Sequence, residues 1–180
     1  MTEAEWLAST DPIAMLRLYV SDAMPWPAGT PAPIVSNRKL RLFAAACCRL
    51  TGVKSQIVDA YEQDGCPCDA FEEVLSDAAW ATQWANRGRR EPPLPGRADL
   101  LRDIFGNPFC PVTSDLSWLT SNVIDLAQGI YADHAFECMP ILGDALEDAG
   151  CDNADILNHC RQPGEHVRGC FCLDLILNKS

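Results

Sequence analysis

Four of the ten cysteines and two of the three histidines lie in one short segment, GCDNADILNHCRQPGEHVRGCFC, residues 150–172. Imidazole nitrogen and thiolate sulfur are good ligands for zinc. If one helix covers residues 152–161 and another runs from about residue 166 onward, His166 and Cys170 lie four residues apart on one helix face. Two helices that face each other across the turn QPGE can supply four ligands. The candidate metal ligands are His166, Cys170, His159, Cys160 and Cys151.

A second interpretation of the same residues is a packed core of free thiols and hydrogen-bonded histidines. The chain contains no CxxC pair, and its two close pairs are CxC, namely Cys66 with Cys68 and Cys170 with Cys172. Neighbouring helical residues point about 100° apart, so His159 and the adjacent cysteine cannot both bind one ion without distortion. The spacing therefore leaves two alternatives open, which are a zinc-stabilised module and a chain without a cofactor.

The sequence does not favour an enzyme. The motif DGCPCD could form a redox pair, but Asp64 and Asp69 flank its thiols, and negative neighbours raise a thiol pKa. The chain has no nucleophile elbow, phosphate-binding loop or HExxH motif. His134 is better explained at the C-terminal end of a helix, where the helix dipole favours an imidazolium. We therefore expect a protein without catalytic residues.

The charge distribution points to a protein partner. The chain has 25 acidic and 14 basic residues, a net charge of -11, and no Lys or Arg from Asp103 to Cys160. This disfavours nucleic-acid binding. Either basic segments of the chain pack near the acidic half, or an acidic face binds a basic protein, as an immunity-type or inhibitory protein would. The favoured function is a non-catalytic module that binds a protein through this acidic face, and the zinc-stabilised module is the alternative. The residues predicted to contact such a partner are Asp144, Glu147, Asp148 and Asp152.

Apolar spacing predicts an all-α fold, an irregular bundle of roughly seven to nine helices. Thr10 followed by Asp11 and Pro12 marks one helix start, and Ser36 marks another. Gly150 is placed as a helix stop, and Asp152 with Asp155 as a capping box for the next helix. The last apolar run alternates like a strand, but a lone strand has no partner, so a helix is predicted there. The predicted buried positions include Leu40, Phe43, Cys47, Leu50, Val123, Ala127, Ile130, Tyr131, Ile141, Leu142, Ala145, Leu146 and Ala149.

Length and composition indicate one helical domain over residues 1–180, with a candidate subdomain boundary in EPPLPG, residues 91–96. The N-terminal segment MTEAEWLASTDP carries acids where a signal peptide has positive charge, and no run of about 18 apolar residues follows. We therefore expect a cytoplasmic protein that does not bind membranes.

Several segments together resemble an uncharacterised, highly multiplied family of planctomycete-type bacterial proteins. They are TEAEWLASTDP, NRKLRLFAAACCR, LLRDIFGNPFCPV, WLTSNVIDLAQGIY, MPILGDALEDAGCDNADILNHCR and GEHVRGCFCLDLIL. The resemblance covers most of the chain and is more specific in its second half. Members often carry longer inserts in the middle, where this chain has the short EPPLPG segment. The resemblance implies a bacterial intracellular setting and one integrated module, and it brings no activity, cofactor or catalytic residue.

Overall fold

A computed structural model of the chain describes residues 1–20, 36–50, 58, 59, 62 and 96–179. These residues form helices and contain no strand, so the all-α prediction is confirmed for the described part of the chain. No helix in that part is long and apolar enough to cross a membrane. The α-helices are α1 Glu3–Ala8, α2 Pro12–Val20, α3 Asn37–Leu50, α4 Arg97–Phe105, α5 Ser121–Asp133, α6 Met139–Asp148, α7 Ala154–Arg161 and α8 Phe171–Ile176. Two 3₁₀ helices cover Leu116–Trp118 and Phe136–Cys138.

The chain divides into two compact units, Met1–Arg102 and Asp103–Ser180. The candidate boundary at residues 91–96 lies outside the described residues except for Gly96, so that boundary and the single-domain organisation stay predictions.

The first unit begins its helices where the sequence places capping residues. The Asp11 side chain accepts a hydrogen bond from the Ala14 N–H at 3.2 Å, directly before α2. The Ser36 side chain accepts one from the Lys39 N–H at 3.3 Å, directly before α3. Both satisfy N–H groups that a helix start leaves without partners. Both predicted starts are therefore confirmed.

The apolar stripe of α3 is confirmed except at its end. Leu40, Phe43 and Cys47 are buried, whereas Leu50 is exposed. Leu50 is the last residue of the helix, where the predicted periodicity runs out.

Arg102 holds the C-terminal end of α1. Its Nη2 donates to the carbonyl oxygens of Trp6, Leu7 and Ser9 at 2.9, 2.9 and 2.7 Å. Helix ends leave such carbonyls unpaired, and a guanidinium can donate to several at once. Its charge also lies 5.4 Å from the centre of the Trp6 ring.

The core of the second unit is formed by one face each of α5, α6, α7 and α8. The buried residues of α5 are the predicted Val123, Ala127, Ile130 and Tyr131. On α6, Leu142 and Leu146 are buried, Ala145 and Ala149 are partly buried, and the prediction for Ile141 is wrong because its side chain is 57% exposed. A stripe that includes Met139 and Gly143 turns Ile141 to the outer face.

The end of α6 at Gly150 is as predicted, whereas the residue that caps the start of α7 differs from the prediction. Gly150 has φ +92°, its N–H donates to the Glu147 carbonyl, and the Cys151 N–H donates to the Leu146 carbonyl, which is a Schellman motif. The capping box of Asp152 with Asp155 is wrong. The Asn153 side chain caps α7 by accepting from the N–H groups of residues 155 and 156 at 3.0 and 3.1 Å.

The segment after α7 also differs from the prediction. The last helix begins at Phe171 and not near His166, so residues 162–170 consist of bends, a turn and chain without regular structure. Pro163, Gly164 and Gly169, the last with φ +96°, explain why four-residue spacing does not produce a helix here. The final apolar run is nevertheless helical as expected, with Cys172, Leu173, Asp174 and Ile176 buried.

Close packing of α6 against α7 makes a matched pair of glycine substitutions informative. A Cβ added at Gly143 would lie 3.0 Å from the Cys160 Cβ, whereas one added at Gly129, on α5, meets nothing within 4 Å. We expect Gly143→Ala to lower the free energy of unfolding by about 1–3 kcal/mol through overpacking. Gly129→Ala should raise it by about 0.5–1 kcal/mol, because alanine is the better helix former. Urea unfolding measures both, and equal effects of the two substitutions would contradict the close approach.

Candidate metal centre

Four side chains of the second unit converge on one point. Asp103 lies in the last turn of α4, His159 in the last turn of α7, His166 in the segment that follows, and Cys170 directly before α8. One ligand atom from each lies within 4.8 Å of the ligand atoms of the other three. The side chains of Asp103, His159 and His166 are between 5% and 8% exposed, and Cys170 is fully buried.

Three of the four measured separations between the donor atoms are shorter than those of a tetrahedral zinc site, and one is slightly longer. Asp103 Oδ1 lies 2.7 Å from His166 Nδ1 and 3.2 Å from His159 Nε2. Cys170 Sγ lies 3.1 Å from His159 Nε2 and 4.0 Å from His166 Nδ1. Bonds of about 2.0–2.3 Å to zinc imply donor separations of about 3.3–3.8 Å. The 2.7 Å contact between Asp103 and His166 is a hydrogen-bond distance, so these two side chains must move apart by about 0.6 Å to bind one ion.

The arrangement does not match a nucleophile relay. In a Cys–His–Asp relay, the histidine contacts the nucleophile through one ring nitrogen and the acid through the other. Here the same nitrogen of His159, Nε2, faces both Cys170 and Asp103. Nδ1 of His166 likewise faces both. The polar atoms of all four groups therefore face a common centre, which suits a single cation once the two ring nitrogens have given up the protons that they share with Asp103.

Three neighbouring groups orient two of these side chains, Asp103 and His159. The Val167 N–H donates to Asp103 Oδ2 at 3.0 Å, which leaves Oδ1 to face the centre. The side-chain amide nitrogen of Gln162 lies 3.2 Å from His159 Nδ1, to which it can donate. When His159 binds an ion through Nε2, its Nδ1 carries the proton, and the Gln162 amide must turn over so that its oxygen accepts that proton. The Phe171 ring packs 4.3 Å from the His159 ring, measured between centroids.

Electrostatics give the acid and the thiol opposite protonation states. Burial raises the pKa of the Asp103 carboxyl, but hydrogen bonds from His159 and His166 outweigh it, so the pKa lies below its ordinary value. Burial raises the pKa of the Cys170 thiol well above its ordinary value, and the Asp103 carboxylate adds to the rise. Without a cation the centre therefore holds an ionised carboxylate and a neutral thiol.

The structure brings together three of the five predicted ligands. His159, His166 and Cys170 meet, although the helix predicted to align the last two is absent. Cys160 instead points at Cys172, with 3.4 Å between the sulfurs. It lies outside the centre because neighbouring residues of a helix point about 100° apart. Cys151 is buried after the Gly150 turn and is not among the four converging residues. Both were wrong as ligands of this centre.

Asp103 is the member of the converging set that the sequence did not predict. It precedes His159 by more than fifty positions, so local spacing could not connect the two. One signal was available, because Asp103 lies within the apolar run LLRDIF between residues that are buried. A buried carboxylate needs a compensating partner, and such a residue could have been placed with the histidines.

Other predicted sites fall outside this centre. Asp144, Glu147, Asp148 and Asp152 are all exposed. Arg161 donates to Asp144 at 2.7 Å and to Glu147, so two of the four acids already have a cation. Binding of a basic protein at this face stays a prediction. Residues 66 and 68 lie outside the described residues.

His134 occupies the place expected for it. It is the C-cap residue of α5, with φ 56°, and its N–H donates to the Ile130 carbonyl. Its side chain is exposed. It is therefore a natural control for the two buried histidines.

Comparison with protein-family models, with curated proteins and with solved structures finds no match to the chain.

Proposed function

We propose that the chain is a zinc-stabilised helical module without a catalytic role. The observation that carries this proposal is the convergence of Asp103 Oδ1, His159 Nε2, His166 Nδ1 and Cys170 Sγ within 4.8 Å of one another. Zinc favours four ligands in tetrahedral geometry, drawn from nitrogen, sulfur and carboxylate oxygen. Calcium and magnesium require mostly oxygen ligands, which this set does not provide.

The burial of the ligands supports a structural role for the ion. Structural zinc sites have four protein ligands, whereas catalytic sites keep one position for water or substrate. All four candidate ligands are protein side chains, and their side chains are at most 8% exposed. The centre thus has the composition of a closed site.

The ion would stabilise a part of the second unit that lacks regular structure. Residues 162–170 form no helix, yet they contribute His166 and end in Cys170. Coordination would fix this segment to α7 and to the last turn of α4. Because an unfolded chain rarely holds its ligands together, the free energy of metal binding adds to the stability of the fold.

Elemental analysis tests the function directly. The protein is reduced, loaded with zinc and dialysed against chelator-free buffer, and the zinc content is measured by mass spectrometry of the element. We expect about one equivalent per chain. Cobalt substitution should add a sulfur-to-cobalt absorption band that Cys170→Ser removes. Less than about a tenth of an equivalent would leave the four residues as a hydrogen-bonded core and refute the proposal.

Gln162 provides a test of the tautomer that zinc requires. Gln162→Leu removes the side-chain amide that lies 3.2 Å from His159 Nδ1, and with it the oxygen that would accept the Nδ1 proton once the amide turns over, while the four ligands stay intact. We expect zinc affinity to fall about tenfold, the usual size of such an outer-shell effect. Gln128→Leu, on the exposed side of α5, is the matched control and should leave the affinity unchanged. Competition with a chromophoric chelator measures both variants, and equal affinities would contradict this role of Gln162.

A further inference from the structure

We propose that Cys160 and Cys172 form a reversible disulfide that links α7 to α8 beside the metal ligands. Their sulfur atoms lie 3.4 Å apart, and both side chains are fully buried. A disulfide bond is about 2.05 Å long, so the two sulfurs need to approach by roughly 1.4 Å. Both residues are free thiols in the structure, and neither belongs to the converging set of four.

The position of the pair in the chain connects it to the proposed metal centre. Cys160 follows the ligand His159, and Cys172 is two residues beyond the ligand Cys170. The ring that the disulfide closes therefore contains His166 and Cys170. It would constrain the same segment, residues 162–170, that zinc would hold. The disulfide and the metal would constrain this segment by different chemistry, because the metal depends on the supply of zinc and the disulfide depends on the redox state.

The oxidant is a small-molecule disulfide, which forms the protein disulfide in two thiol–disulfide exchange steps. One protein thiol, as its thiolate, attacks a sulfur of the oxidant and expels one thiol. The second protein thiol then attacks the mixed disulfide and expels the other thiol. Two protein S–H bonds are lost and one protein S–S bond forms, while the oxidant is reduced to two thiols. A reducing thiol reverses both steps.

Burial makes the rate of this exchange depend on opening of the segment. An oxidant reaches a fully buried sulfur only when α8 and residues 162–170 separate from α7. Zinc bound to His159 and Cys170 would oppose that separation. We therefore expect oxidation to be at least about tenfold slower in the zinc-loaded protein than in the chelated protein. This rate difference rests on the proposed function, whereas the disulfide itself does not.

Peptide mapping of the full chain tests the disulfide. Reduced protein, with zinc or with EDTA, is incubated with oxidised glutathione, and remaining thiols are alkylated with iodoacetamide before digestion. Trypsin cuts after Arg161, Arg168 and Lys179, so the disulfide joins the fragment ending at Arg161 to the fragment of residues 169–179. Fragmentation of the linked peptides should show Cys170 alkylated and Cys172 bonded. Cys172→Ser should abolish the link, and Cys138→Ser, outside the ring, should not.

Each outcome decides one part of the inference. A linked pair in the EDTA sample supports the disulfide, whether or not the protein binds zinc. Stable glutathione adducts without an internal bond, a bond from Cys170, or no oxidation in the EDTA sample would overturn it. A disulfide that forms at the same rate with and without bound zinc overturns only the protection by the metal. Failure to bind zinc is read separately from elemental analysis.

Discussion

Removal of zinc is expected to lower the thermal unfolding temperature of the protein by about 10 °C. Free zinc at about a thousand times the dissociation constant stabilises a folded protein by about 4 kcal/mol, and each kcal/mol shifts the unfolding temperature by several degrees. Asp103→Asn, His159→Gln and Cys170→Ser should each abolish most of this zinc-dependent difference. The reason is that each substitution replaces a carboxylate, an imidazole or a thiolate by a neutral group that binds zinc weakly, with only a small change in the volume of the side chain.

The measurement compares each variant with zinc and with EDTA, so that general destabilisation cancels. Suitable controls are cysteines that the sequence also predicted as metal ligands, and a histidine that lies outside the centre. Cys151→Ser and Cys160→Ser alter buried thiols outside the converging set, and His134→Gln alters the exposed histidine. All three controls should keep the full zinc-dependent difference. If the ligand variants kept it as well, the ion would be bound elsewhere and the centre would be refuted.

Much of the helical framework could be predicted from the sequence because its causes are local. The stripe that ends in Ile130 and Tyr131 follows from helical periodicity, and the stop at Gly150 follows from its freedom to adopt positive φ. The start of α7 was misplaced by one residue because Asp152 and Asn153 are both good caps. Only the path of the chain into the helix selects between them.

The candidate site was less predictable because its parts are distant or irregular. The four-residue spacing predicted that the side chains of His166 and Cys170 lie close together on a helix. They do lie close together, but the segment between them is a turn, in which the Cys170 N–H donates to the Val167 carbonyl. No helix joins them. Asp103 comes from a helix far away in the chain, and only the folding of the second unit brings it to the histidines. The spacing of residues within one segment cannot predict a contact between segments that are far apart in the chain.

Zinc affinity is expected to rise with pH. The thiol of Cys170 has a pKa well above its ordinary value because of burial and the Asp103 carboxylate, so it carries a proton in the metal-free protein near neutral pH. Zinc binds the thiolate, and this proton must leave. The carboxyl of Asp103, whose pKa is lowered, is already ionised and releases none. One proton released makes the affinity rise about tenfold for each pH unit between about pH 7 and 9.

Competition with a chromophoric chelator measures this slope, and calorimetry in buffers of different ionisation enthalpy counts the released proton independently. Cys170→Ala is the matched variant, because it keeps the other three ligands and has no thiol proton to lose. Its affinity should be lower and should change with pH by less than half as much as that of the parent protein. An affinity that is flat with pH in the parent would show that the thiol is not a ligand.

The same raised pKa predicts an opposite trend for the metal-free protein. Its folded-state thiol pKa lies above the ordinary value of 9.0, so at high pH the unfolded chain loses this proton more readily than the folded one. The contribution to stability is therefore fully present below about pH 9 and is lost as pH rises toward the folded pKa. Zinc removes that loss, because the bound thiolate carries no proton in the folded state. Urea unfolding between about pH 7 and 10 should show stability falling in EDTA, and the zinc-dependent gain in stability widening.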